Sequence, residues 1–97
     1  MKELEQASDH ALLKDLCDRL RTLRKRLGWS QARLAEQAGL SRMTVVRLER
    51  GDSVHVMTLI QVLRALGDLE SLRALVEPPP PSPMQALREK RGGPSGS

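Results

Sequence analysis

The chain has 97 residues, a formal net charge of +4 and 39% hydrophobic residues, a length that suits one small domain and is too short for two. With no Phe, no Tyr and a single Trp, its core must come from Leu, Val, Ile and Ala, which favours helices over strands. The one cysteine, Cys17, excludes an internal disulfide, His10 and His55 supply no metal-ligand spacing, and no apolar run is long enough to span a membrane. The N-terminal MKELEQASDH is polar and acidic, unlike a signal peptide, so a cytoplasmic protein without cofactor is expected.

In chain order, Leu13, Leu16, Leu20, Leu23 and Leu27 recur at steps of three and four and predict a first helix over 9–27, capped by Ser8 or Asp9 and ended by Gly28. Ser30 is placed to cap a second helix over 31–38, with Trp29 packing on Leu34 as a hydrophobic staple. The device repeats: Leu40 precedes the cap Ser41 and staples onto Val45, so a third helix should run over 42–50 and stop at Gly51. A fourth helix is expected over about 56–66, with Val56, Leu59, Ile60 and Leu63 inward. A fifth follows over about 69–76, through Leu69, Leu72 and Leu75 or Val76. The run PPPPSP then forbids a regular helix and favours extended polyproline. These breaks divide the chain into a helical domain, 1–77, and a Pro-rich, partly basic tail, 78–97, in which PMQALREK is a candidate short helix.

Positive charge is concentrated on one third of the chain. Between Arg19 and Arg50 there are nine basic residues against two acidic ones, Glu36 and Glu49, whereas the remainder is net acidic. Rotation about the third helix at roughly 100° per residue turns Val45 and Leu48 to the core and leaves Met43, Val46, Arg47 and Arg50 outward, with Arg42 and Thr44 on the flanks. Leu34, Ala35 and Ala38 turn inward from the second helix, their small neighbours allowing close approach, and Gly39 can take the left-handed conformation that closes a helix before a sharp turn. Two short helices joined in this way make a helix-turn-helix, whose second helix fits a DNA major groove. There Arg can read guanine O6 and N7, and a methyl or thioether can touch the thymine methyl group.

The stretch GWSQARLAEQAGLSRMTVVRLERG resembles the Cro and phage-repressor helix-turn-helix family of bacterial regulators, also called the xenobiotic-response-element family, over about Leu20 to Leu66. Ser30-Gln31, Ala35, Gly39 and Leu48-Glu49-Arg50-Gly51 carry the likeness, and DSVHVMTLIQVLRALG resembles the helix that follows in many members. The resemblance implies an all-α, five-helix, lambda-repressor-like domain. It also implies that Arg42, Met43, Thr44 and Arg47 face base edges of double-stranded DNA, and that Gln31, Ser41 and Arg50 hold the phosphate backbone. Val46 departs from the family, which often has a small or polar residue there.

Glu49 lies in the last turn of its helix, where the dipole disfavours a carboxylate. Packing the first helix on Val45 and Leu48 brings Arg24 to it as the expected partner in a structural ion pair. A single recognition helix reads too few base pairs to find one genomic site, so a homodimer is expected, with Ile60, Leu69, Leu72 and Val76 near the contact. No triad, phosphate-cradling loop or paired carboxylates suggest an enzyme. Base-stacking recognition of RNA or single strands lacks aromatics. The short fifth helix, prolines and basic end also resemble HipB-type antitoxins, which bind a kinase toxin and repress their own operon. A plain repressor, such an antitoxin, and a helix-turn-helix used only for protein contacts are the three functional classes in view.

Overall fold

Three serines and an aspartate start four of the five helices in the computed structural model, which describes residues 6–84. The helices are α1 (Asp9–Arg26), α2 (Gln31–Ala38), α3 (Arg42–Arg50), α4 (Val56–Leu66) and α5 (Leu69–Val76), and no strand occurs among the described residues. The fold is all-α. Ser8 Oγ accepts from the Ala11 amide at 3.1 Å, Ser30 Oγ from Arg33 at 3.0 Å, Ser41 Oγ from Thr44 at 3.2 Å and Asp68 Oδ1 from Ser71 at 3.2 Å. Each bond satisfies a donor that the first helical turn leaves without a partner. Only α4 starts without a side-chain cap, at His55.

The joint between α2 and α3 sets the geometry of everything that follows. Gly39 sits at φ 71°, the left-handed region, so the Leu40 amide turns back to donate to the Ala35 carbonyl at 2.9 Å. A Cβ at Gly39 would meet nothing within 4 Å, so conformation alone requires glycine here. Leu40 then folds against the core, and Ser41 begins α3 at once.

Four helices build the core. Cys17 and Leu20 come from α1, Leu34, Ala35 and Ala38 from α2, Val45 and Leu48 from α3, and Val62, Leu63 and Leu66 from α4. Leu20, Leu34, Val45 and Val62 are fully buried, each contributing about 1.5–3 kcal/mol relative to exposure. Burial pushes the Cys17 thiol up in pKa, as befits a small apolar core residue. Trp29 packs half-buried against the same cluster.

Three expectations change. α1 ends at Arg26, and Leu27 caps it with half its surface exposed. On α4 the inward stripe is Leu59, Val62, Leu63 and Leu66, while Val56, expected inside, is 71% exposed and Ile60 only half-buried. VMTLIQVLRAL carries two overlapping stripes at helical spacing, and docking the middle of α4 on α2 selects the later one; Gln61 Nε2, at that seam, donates to the Ala38 carbonyl at 3.4 Å. α5 has no buried residue: Leu72 leans half-buried on the core, while Leu69, Leu75 and Val76 face outward. Past it, residues 77–82 are exposed and outside any helix. Most of the candidate helix PMQALREK lies outside the described residues.

Candidate nucleic-acid interface

α3 is anchored on one side and cationic on the other. Val45, Leu48 and Glu49 are buried, Thr44 and Val46 are half-buried, and Arg42, Met43, Arg47 and Arg50 are exposed. The outward set follows from spacing: positions 43, 46, 47 and 50 lie within a narrow arc at 100° per residue.

Glu49 is the pivot of the support beneath. Arg24 Nε donates to Glu49 Oε2 at 2.6 Å and Arg24 Nη2 donates to Oε1 at 2.9 Å, a two-bond clamp. A third donor, Arg24 Nη1, reaches the Trp29 carbonyl at 2.6 Å. Gln31 Nε2 donates to Glu49 Oε1 at 3.2 Å. The end of α1, the start of α2 and the last turn of α3 therefore meet at one buried carboxylate, whose side chain is 3% exposed. Among the described residues no buried side-chain nitrogen or oxygen lacks a partner.

The outer polar residues divide into held and free. Ser41 Oγ and Thr44 Oγ1 share a hydrogen bond at 2.8 Å, so both hydroxyls are oriented at the start of α3. Arg50 Nη2 donates to Asp52 Oδ2 at 2.8 Å, and that bond holds the Asp52 carboxyl below the usual carboxylate range. The guanidinium groups of Arg42 and Arg47, by contrast, make no hydrogen bond or ion pair among the described residues, although Arg47 is near enough to Asp52 to act on it electrostatically. Beside Arg47 a cleft of about 210 Å³ opens between α3 and the start of α4, lined by Thr44, Leu48, Ser53, Val54, His55 and Thr58. Lys25 and Arg26, in the last turn of α1, are also exposed.

A short cationic helix with an anchored back and unpaired arginines matches one known pattern of chain. A family model described as helix-turn-helix matches residues 20–72, just over half of the sequence. The protein belongs to the helix-turn-helix family of Cro and phage-repressor type. Members of this family are DNA-binding transcriptional regulators. No curated protein matches the chain. Within the helix-turn-helix, α2 is the supporting helix and α3 the recognition helix.

The structure brings Arg24 and Glu49 together and sets Arg42, Met43 and Arg47 on one open face with Thr44 at its edge. It commits all three residues expected on phosphate to internal bonds: Gln31 to Glu49, Ser41 to the Thr44 amide and hydroxyl, and Arg50 to Asp52. Of the residues expected at a dimer contact, Leu69 and Val76 are exposed, Ile60 is half-buried, and Leu72 is half-buried against the core. Sequence reasoning missed two partners. Asp52 sits just past the helix-ending Gly51, two residues from Arg50, where the turn folds it back. Asp68, a recognisable helix cap, also accepts from Arg19 Nη2 at 3.0 Å, a contact across 49 positions that no local pattern announces.

Proposed function

We propose that this helix-turn-helix regulator is a sequence-specific repressor that binds double-stranded DNA as a two-fold dimer on a palindromic operator. One observation carries the reading: the exposed face of α3 offers two arginines, Arg42 and Arg47, whose guanidinium groups make no hydrogen bond or ion pair among the described residues, beside Met43. Arg42, Met43, Thr44 and Arg47 reach base edges, while Gln31, Ser41 and Arg50 contact phosphates near the helix ends. Gln31 and Arg50 can serve a phosphate beside their internal partners: both have further donors, and a guanidinium held by one carboxylate still has N–H groups for a phosphate.

The dimer reading draws support from exposed apolar surface. Val56 and Met57 on α4 and Leu69, Leu75 and Val76 on α5 are each more than half exposed. A helix that buries no residue of its own gains most from a second copy. Two recognition helices about 34–36 Å apart then meet successive major grooves of one DNA face. The same surface supports a second reading, an antitoxin whose α5 and proline segment hold a kinase toxin.

Selection of duplexes from a random-sequence pool, followed by sedimentation with the selected site, tests the proposal. Enrichment of an inverted repeat bound by two chains is the expected result. Binding that is indifferent to sequence, or a single chain on the selected duplex, overturns it. Stoichiometric co-purification of a protein kinase from the native host selects the antitoxin reading.

A further inference from the structure

Alone among the five described helices, α5 buries none of its residues. Its eight residues are too few to hold a helix unaided, since isolated helices shorter than about 12–15 residues are marginal in water. Something outside α5 therefore has to keep it formed. Its apolar hold is small: Leu72 leans half-buried on the core, and Leu69, Leu75 and Val76 are each more than half exposed. Arg73 pairs with Glu70 and Glu77 of the same stretch, so these bonds fasten α5 to nothing else.

The polar bonds that do reach the body of the domain converge on the first turn of α5. Asp68 Oδ1 accepts from the Ser71 amide at 3.2 Å, and Oδ2 accepts from the Ser71 hydroxyl at 2.8 Å. From α1, Arg19 Nη2 donates to the same Oδ2 at 3.0 Å and to Ser71 Oγ at 3.3 Å. One guanidinium nitrogen thus grips both members of the cap; the Asp68 side chain is nearly buried there, while Arg19 stays exposed. Just before, Gly67 at φ 75° turns the chain out of α4, and the Asp68 amide donates back to the Leu63 carbonyl at 3.0 Å. α5 is hinged to α4 at Gly67 and fastened to α1 by Arg19.

We propose that Arg19, Asp68 and Ser71 form a latch that keeps α5 folded in the free chain, so that Arg19, on a different helix, sets how readily two copies assemble. The inference rests on the dimer reading above, in which Leu69 and Val76 meet a second copy. These two lie two turns apart on one side of α5, with Leu72 between them, and share that side only while α5 is helical. Arg19 is here a positioning residue, acting on assembly through α5. A chain whose α5 is formed part of the time loses affinity by that fraction, and a two-fold contact loses it once for each copy. Breaking an ion pair with one exposed member shifts such a local equilibrium by a factor of about two to three, so its square, roughly four- to tenfold, falls on the dimer.

The test is sedimentation of the full chain over a concentration series, with hydrogen exchange of its amides measured where the chain is monomeric. Arg19→Ala should raise the dimer dissociation constant roughly four- to tenfold and speed exchange of the amides of 72–77, while those of α2 and α3 keep their protection. Arg19→Lys retains a cation of similar reach and should restore much of both. Val76→Ser should weaken the dimer without speeding exchange in α5. If Arg19→Ala fails to fold, Ser71→Ala decides: it removes one of the two acceptors of Arg19, leaves the Asp68 cap in place, and should act in the same direction to a smaller extent. A dimer that Val76→Ser weakens and Arg19→Ala does not, or protection lost throughout the domain in Arg19→Ala, overturns the latch and leaves the dimer reading intact. A chain that stays monomeric, or a dimer indifferent to Val76→Ser, overturns the dimer reading and the role of the latch with it.

Discussion

Arg24 and Glu49 face each other across 25 positions of sequence with their charged ends almost fully buried, 9% and 3% exposed, and joined by two parallel hydrogen bonds. Each answers a local problem of the other. Glu49 carries negative charge at the negative end of α3, and Arg24 supplies the compensating cation there. In return the carboxylate fills two donors of a guanidinium that would otherwise lie buried and unpaired. The pair ties α1 to the recognition helix, so it is a device for orienting α3 as much as for stabilising it.

Removing one partner should therefore cost far more than a surface pair is worth. Arg24→Ala should destabilise by about 3–5 kcal/mol, against about 0.2–1 kcal/mol for an exposed pair. It also strips the Trp29 carbonyl of its donor. The double change Arg24→Met, Glu49→Leu should recover a large part of that loss, because no charge is then left stranded. Denaturant melting of the two single variants and the double variant gives the coupling directly. A coupling indistinguishable from zero would contradict the role given to the pair.

Base and phosphate contacts separate by their dependence on sequence. Arg47→Ala should lower affinity for the selected operator far more than for random DNA, since a base-edge contact discriminates by about 1–3 kcal/mol. Gln31→Ala should weaken both alike. Gln31 also bonds Glu49, so part of its loss should appear as reduced stability in a melt without DNA. Equal losses for Arg47→Ala on both duplexes would move Arg47 to the phosphate.

Much of this architecture is legible in the sequence because its punctuation is local. Ser30, Ser41, Gly39 and Gly51 act within four residues of where they stand, and the limits 31–38, 42–50, 56–66 and 69–76 follow from such signals. The inward stripe of α4 is a different kind of question. Val56 and Val62 are equally apolar and both fall at helical spacing, and only the position of α2 beside the later one decides between them. The same holds for Gln31 and Arg50. Their type and place suit a phosphate contact, but Glu49 and Asp52 already engage them through a fold that composition does not encode. Arg24 and Glu49 were legible because the helix dipole posed a question with few available answers.

Asp68 should give the stability an acid limb. It caps α5 and accepts from the Ser71 hydroxyl at 2.8 Å and from Arg19 at 3.0 Å. The Ser71 hydroxyl bond, with Arg19 and the Ser71 amide adding to it, holds its carboxyl below the ordinary range. A folded-state pKa below the unfolded one means that ionised Asp68 stabilises the fold at all pH above about 3.9, and that this contribution is lost as pH falls through the folded value. Asp68→Asn keeps an N-cap acceptor but cannot titrate. Melts from neutral pH down to about pH 3 should show the unaltered protein losing its advantage over Asp68→Asn as Asp68 protonates. Parallel profiles would assign the acid sensitivity to other carboxylates.

Asp52, unlike the buried Glu49, is a solvent-facing carboxylate set among the exposed cations at the end of α3, and it should act as a brake on indiscriminate binding. Its bond to Arg50 keeps it ionised throughout the neutral range, so pH does not release the brake. Free of DNA, Arg50 is therefore partly neutralised, and a passing phosphate must compete with Asp52 for it. In a well-fitted operator complex the phosphate is held in place by the remaining contacts and can share the guanidinium. On random DNA it is not. Asp52→Asn should raise affinity for random duplex several-fold at low salt and steepen the dependence of log affinity on log salt by about one unit, the signature of one more phosphate neutralised. Affinity for the selected operator should rise less, so the ratio of specific to non-specific binding falls. Fluorescence anisotropy over a salt series, with both duplexes, measures all of this. A drop in operator affinity with no change on random DNA would reverse the assignment, making Asp52 a residue that aims Arg50 at one particular phosphate.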